Sequence, residues 1–197
     1  GPYLLPCMLP VLEQDFPVLE LYLYEAQTQN LLEKLETGQL DCAILAQVPE
    51  TNHFIEVPMF KENMMLAVSP KHPWAKESSL PLNVLKNHEI LMLDDGHCLR
   101  GQTLDYCFTA GAYENNHFQA TSLETLRNMV AANTGVTLMP KLAIVNEGSR
   151  KGVEYIPFSD PKPYRNVILV YRPGSPLRAR YERIAKIIQA AVLPMLV

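Results

Sequence analysis

With 197 residues, 48% of them hydrophobic and 19% charged, the chain has material for one core or two small ones, and its balance excludes a disordered segment. Seventeen basic residues against 21 acidic ones give a formal net charge of −4, so no global field draws this chain onto a nucleic-acid backbone. No apolar run reaches the roughly 18–20 residues of a membrane span. The start, GPYLLPCMLPVLEQDFP, has prolines and lacks the basic opening of a signal peptide, so the expectation is a cytoplasmic protein without membrane contact.

Residues 18–25, VLELYLYE, alternate and are rich in aliphatic and aromatic side chains, which predicts a strand. Thr28 is placed to cap the helical run that follows, with Leu31, Leu32 and Leu35 on one face and Gly38 at its end. LDCAILA, residues 40–46, is a continuous apolar run of the kind buried in a parallel sheet, completing a βαβ unit. FIEVPMF (54–60) and MMLAVSP (64–70) read as two strands separated by KEN, and PKHPW is a break. Residues 80–85 suggest a short helix and 89–93 a strand that runs into DDGHCLR.

Thr121 and Glu124 have capping-box spacing, ahead of a helix with Leu123, Leu126 and Val130 on its apolar face. Residues 135–139 predict a buried strand closed by Pro140 and a short helix, and 153–158 another strand. NVILVY, 166–171, is the last strand. Ser175 and Pro176 follow as N-cap and first helical position of a helix whose Leu177, Tyr181, Ile184, Ile188 and Val192 share a face. The expected organisation is two small α/β subdomains, residues 1–62 with 166–197 and residues 63–165, joined by crossings near 61–66 and 159–166.

The four cysteines, Cys7, Cys42, Cys98 and Cys107, are too few and scattered for a disulfide scaffold, and no Cys/His cluster has metal-ligand spacing. Neither a metal nor a cofactor is expected. Cys98 opens a run with helical spacing (Leu99, Leu104, Phe108), so it falls at a helix N-terminus. The partial positive charge there, with His97 and Arg100 adjacent, favours a reactive thiolate; Asp94 and Asp95 oppose it if they point inward. The competing reading is a buried, inert thiol.

If 99–107 is one unbroken helix, the two cysteines lie roughly 13 Å apart, whereas a disulfide needs Cα atoms within about 7 Å. Bonding would then demand unwinding, and Gly101 and Gly111 weaken this particular helix. Cys107 otherwise reads as the apolar end of that helix. Cys7 and Cys42 stand in apolar contexts that favour burial. His53, His72, His88 and His117 read as surface residues, and Arg178, Arg180, Arg183 and Lys186 as the solvated side of the last helix. GxGxxG, P-loop, GxSxG and HExxH motifs are all missing, which leaves an enzyme reading without support.

GPYLLPCMLPVLEQDFP, LDCAILA, LAVSPKHPWA, LMLDDGHCLR, HFQATSLETLRNMVAANTGVTLMP and VYRPGSPLR together resemble the regulatory domain of LysR-type transcription regulators, over nearly the whole chain. GHCLR, six residues and then CF resembles the peroxide-sensing branch of that family. The resemblance implies two subdomains of the periplasmic-binding-protein type, joined by two crossover strands. It makes Cys98 the peroxidatic cysteine and Cys107 the resolving one that closes a disulfide. Thr28 and His97 would line the peroxide pocket, and Arg165 would stabilise the thiolate or the departing hydroxide.

The implied partners are hydrogen peroxide, further copies of the regulatory domain (a dimer, or a tetramer of the full protein), and DNA through a winged helix-turn-helix. RNA polymerase and a glutaredoxin or thioredoxin reductant complete the set. The winged helix-turn-helix, the family's first effector-domain strand and a pocket threonine have no counterpart in these 197 residues. The expectation is therefore a sensor and not an enzyme. The alternatives are an effector domain binding an organic co-inducer between its subdomains, a thiol peroxidase that turns over, and a periplasmic solute-binding protein of the same architecture.

Overall fold

In the computed structural model, residues 1–94, 98–144 and 151–196 are described, with residues 98, 116 and 117 described for their backbone alone. They divide into two compact units, Gly1–Glu62 with Asn166–Val197, and Asn63–Arg165.

The first unit begins with α1, Leu5–Asp15, a helix that the proline-rich sequence conceals. Pro6 stands in its first turn, where a missing N–H removes no helical bond, and Pro10 lies inside. Met8 and Leu12 are its buried side chains. The predicted strand at 18–25 does not form: the segment joins no strand ladder among the described residues, and Val18 and Tyr22 are 94% and 89% exposed. Alternation provides two faces, but a strand also needs a lateral partner for its N–H and C=O groups.

α2 spans Thr28–Glu36. Gln27 is its N-cap, so Thr28 is the first helical residue and not the cap. Gly38, at φ +78°, ends it as expected, while Gln39 and Leu40 donate back to the Lys34 carbonyl. β1, Cys42–Ala46, pairs antiparallel with β7, Tyr164–Tyr171, setting Cys42 opposite Tyr171 and Ala46 opposite Val167. The parallel βαβ unit expected here is thus absent. Leu32, Leu35, Ala43, Leu45, Phe54, Ile168 and Val170 form a buried cluster in this unit. Closing the unit is α5, Arg178–Val192, whose Tyr181, Ile184, Ile188 and Val192 are buried. Its N-cap is Leu177, and the Ser175 hydroxyl instead accepts from the Leu177 N–H.

β2, Ile55–Val68, replaces the two strands expected on either side of KEN. That triplet has no residue that forces a turn, so the strand runs straight on, and the chain passes from one unit to the other between Glu62 and Asn63. β7 makes the return crossing between Arg165 and Asn166.

In the second unit β2 pairs antiparallel with β5, Thr137–Pro140, and with β6, Glu154–Pro157. β3, Glu89–Leu93, leads through α3, Cys98–Thr109, to β4, Tyr113–Ala120, which pairs parallel with β3. This is the right place for a βαβ unit, and sequence periodicity misses its second strand. YENNHFQA is polar, and its register with β3 shifts between Ile90 and Met92, so no clean alternation survives. α4, Leu123–Ala131, is capped by Ser122, whose hydroxyl accepts from the Thr125 N–H, one residue later than the Thr121 box. Residues 80–85 yield a single 3-10 turn, Leu82–Leu85. Leu66, Ile90, Leu91, Met92, Leu126, Val130, Leu138, Ile156 and Phe158 form the heart of the core, and Cys107 belongs to it.

Candidate functional site

β3 delivers the chain to the redox segment. Beyond Leu93, Asp94 N–H donates to the Ala120 carbonyl at 2.9 Å, fixing the exit direction beside β4. Asp95, Gly96 and His97 lie outside the described residues, as does the Cys98 side chain. The Cys98 backbone opens α3, so this residue sits in the first turn, where unpaired N–H groups favour negative charge. One Asp94 carboxylate oxygen is buried, and so is the Gln102 amide oxygen, one turn after Cys98.

Arg100 ties the start of α3 to its neighbours. Its guanidinium donates to Glu114 through both nitrogens, at 2.5 and 2.8 Å, and to the Leu93 carbonyl at 2.8 Å. With 12% and 13% side-chain exposure, this is a nearly buried bidentate pair. The Arg100 hydrogen bond holds the Glu114 carboxyl below its ordinary value, against the opposing effect of burial, and Gln119 assists. Arg100 therefore fastens the first turn of α3 to β4.

The row facing the core is Leu99, Thr103 and Cys107, at 6%, 5% and 0% exposure, with Leu104 partly buried beside it. Phe108 is 56% exposed. Cys107 is a free thiol, and burial pushes it up to about 12, so in this helix it is no nucleophile. Cys98 and Cys107 lie in one continuous helix, nine residues apart and thus about 13 Å along its axis. Near the end of α3, the Tyr106 hydroxyl donates to the Tyr164 carbonyl at 3.0 Å. The next residue, Arg165, is half-buried on β7.

Cys98, Cys107 and Arg165 therefore belong to the second unit, whereas Thr28, half-buried at the start of α2, belongs to the first. Sequence reasoning missed Glu114, Tyr106 and Thr103. Only Thr103 left a signal, because Leu99, Thr103 and Cys107 recur every four residues.

The remaining candidates divide differently. Cys7 and Cys42 are half-buried, and both thiols are raised, Cys42 to about 11 by burial and then by Asp41. His53 is a surface residue paired with Glu36 at 2.8 Å. His72 and His88 are not isolated: each packs on Trp74, with ring centroids 4.6 Å apart. His117 has no described side chain. On α5, Arg178 pairs with Glu182 at 2.8 Å and Arg183 lies over the Phe16 ring. A cleft of about 450 Å³ in the first unit, lined by Phe16, Val18, Leu19, Ala179, Arg180 and Arg183, includes none of the predicted site residues. Among the described residues no group of three or more His, Cys, Asp or Glu side chains could hold a metal ion.

The family model of the LysR substrate binding domain matches residues 1–192. The chain belongs to the LysR substrate-binding domain family. Among curated relatives of this LysR domain, the "Hydrogen peroxide-inducible genes activator" of Haemophilus influenzae is 68% identical over 196 residues, covering 100% of this chain. The chain spans 65% of that relative's own length. Crystal structures of the oxidized and reduced forms of OxyR are 56% and 53% identical, with TM-scores of 0.88 and 0.89, and each match covers 98% of this chain and 91% of the other. The LysR domain has the α/β fold of the periplasmic-binding-protein type, in two subdomains linked by crossover strands β2 and β7.

Proposed function

We propose that this LysR domain is the hydrogen-peroxide-sensing part of a transcription regulator, switched by oxidation of Cys98 and closure of a Cys98–Cys107 disulfide. The observation that carries the proposal is α3 itself: one continuous helix holds both cysteines about 13 Å apart and buries the second, so they cannot bond without refolding. The names of the relatives support it. The Cys98 thiolate attacks one oxygen of hydrogen peroxide, the O–O bond breaks, and hydroxide leaves to take a proton from solvent, giving Cys98–SOH. Cys107 then attacks the sulfenic sulfur, forming the S–S bond and releasing water.

In this reading Arg165 stabilises the thiolate or the departing hydroxide, and Thr28 and His97 orient the peroxide. Each chain consumes one oxidant per disulfide, which makes it a sensor and not an enzyme. Refolding of α3 changes how regulatory domains pair as dimers or tetramers. It thereby repositions DNA-binding winged helix-turn-helix domains and their contact with RNA polymerase. A glutaredoxin or thioredoxin resets the disulfide, and the setting is the reducing cytoplasm.

The test is titration of the reduced chain with hydrogen peroxide, followed by thiol blocking and peptide mass spectrometry. A peptide linking Cys98 to Cys107 near about one equivalent, with Cys7 and Cys42 still blockable, is the expected result. Indiscriminate or absent oxidation refutes the sensor reading and leaves a domain whose cysteines are structural.

A further inference from the structure

The sensor reading leaves open what governs the second step, and the packing of α3 speaks to it. The helix is fastened near both ends. At its start Arg100 holds Glu114 and the Leu93 carbonyl. At its end Tyr106 holds the Tyr164 carbonyl, and Ala112 N–H donates to the Cys107 carbonyl at 2.9 Å. Between these points the helix meets the core through Thr103, with Leu104 partly buried beside it. The middle member of the row that meets the core is Thr103, a β-branched hydroxyl residue at 5% exposure, where an aliphatic side chain would bury apolar surface instead.

Gly101 adds to the weakness without a steric reason of its own. It lies inside the helix, and a Cβ built there meets nothing within 4 Å. No close approach and no left-handed backbone requires glycine, so its effect there is to lower helix stability. Cys107 is reached only by opening this helix, because its side chain is fully buried one turn beyond Thr103.

We propose that Thr103, seconded by Gly101, is a positioning residue for the resolving step: it keeps the centre of α3 weakly held and so sets the rate at which Cys107 is released to attack the sulfenic acid on Cys98. The inference rests on the peroxide-sensor reading. If opening of α3 is a rapid pre-equilibrium, the disulfide forms in proportion to the open fraction, and stabilising the helix slows that step alone. The sulfenic acid then persists and meets a second peroxide, which adds an oxygen to give the sulfinic acid and releases water.

The experiment compares the unaltered chain with Thr103→Val, Gly101→Ala and the conservative Thr103→Ser. Stopped-time thiol blocking and mass spectrometry follow Cys98–SOH, the disulfide and Cys98–SO₂H at several peroxide concentrations, and hydrogen exchange reports the opening of α3. Valine keeps the β-branched shape and removes the hydroxyl, while alanine at the exposed glycine adds helix stability without touching the core.

For Val and Ala the expected result is an unchanged second-order rate of Cys98 oxidation. Disulfide formation slows by about two- to fivefold, α3 amide exchange slows in parallel, and the sulfinic fraction rises with peroxide. Thr103→Ser retains the rapid disulfide step. Disulfide formation at the unaltered rate in Gly101→Ala, whether or not amide exchange slows, overturns the proposal, and this exposed position keeps the test valid should Thr103→Val fail to fold. If the unaltered chain forms neither sulfenic acid nor disulfide, the sensor reading itself falls, an outcome distinct from failure of the gate.

Discussion

Glu114→Gln isolates the contact that fastens the start of α3. The carboxylate accepts from both terminal nitrogens of Arg100 at 13% side-chain exposure. A glutamine of the same shape keeps one acceptor but turns an amide N–H₂ toward the second donor. Arg100 then retains the Leu93 carbonyl and loses the charge of Glu114. Breaking a buried ion pair from one side removes about 3–5 kcal/mol, and the residual exposure of this pair places the loss near about 3 kcal/mol. Urea denaturation measures it.

The pH dependence gives a sharper signature. The folded-state pKa of Glu114 is depressed below the ordinary 4.5, so the pair's contribution is whole above that value and is lost as the pH falls through the folded pKa. The difference in stability between unaltered chain and variant should therefore be constant through neutral pH and shrink in acid. A variant within about 0.5 kcal/mol of the unaltered chain, or a difference that grows in acid, refutes the argument.

Two other outcomes follow from the same geometry. Iodoacetamide at neutral pH should label Cys107 only after unfolding, because the thiol is fully buried and pushed up to about 12; rapid labelling of the folded chain would mean that α3 does not hold it. Gly38→Ala should lower stability by about 1 kcal/mol, since φ is +78° and an added Cβ touches nothing within 4 Å, leaving backbone strain as the whole effect. Gly38→Asn should lose less, and equal stability of all three chains in urea would count against a left-handed end to α2.

Where the sequence was legible, the governing physics was local. Tyr181, Ile184, Ile188 and Val192 recur at helical spacing, and α5 buries all four. β3 and α4 lie close to where apolar runs placed them. Caps were legible to within a residue or two: Thr121 and Ser122 are adjacent hydroxyl residues, and only the backbone decides which accepts from Thr125. Elements that depend on distant partners were not legible. VLELYLYE has the alternation of a strand but joins no strand ladder among the described residues, whereas YENNHFQA lacks alternation and pairs with β3 through a shifted register. α1 was hidden because two prolines dominate its composition, although one of them occupies a position that a helix tolerates.

The same division runs through the redox segment. The spacing of Cys98 and Cys107 is a local property, so the geometric obstacle to their bond could be worked out from residue counts and helical rise. The Arg100–Glu114 pair could not, because the parallel strand β4 has to bring residue 114 back beside the first turn of α3. That tertiary contact gives Arg100 a role that adjacency does not reveal, as the anchor of a helix. In the sensor reading proposed above, a Cys98 thiolate draws on the helix N-terminus and on Arg165, while Arg100 also anchors the helix. In the proposed switch, the anchor at Arg100 leaves opening to the segment that follows it. Gly101, Thr103 and Cys107 follow Arg100 in that segment, the part that the proposed disulfide requires to open.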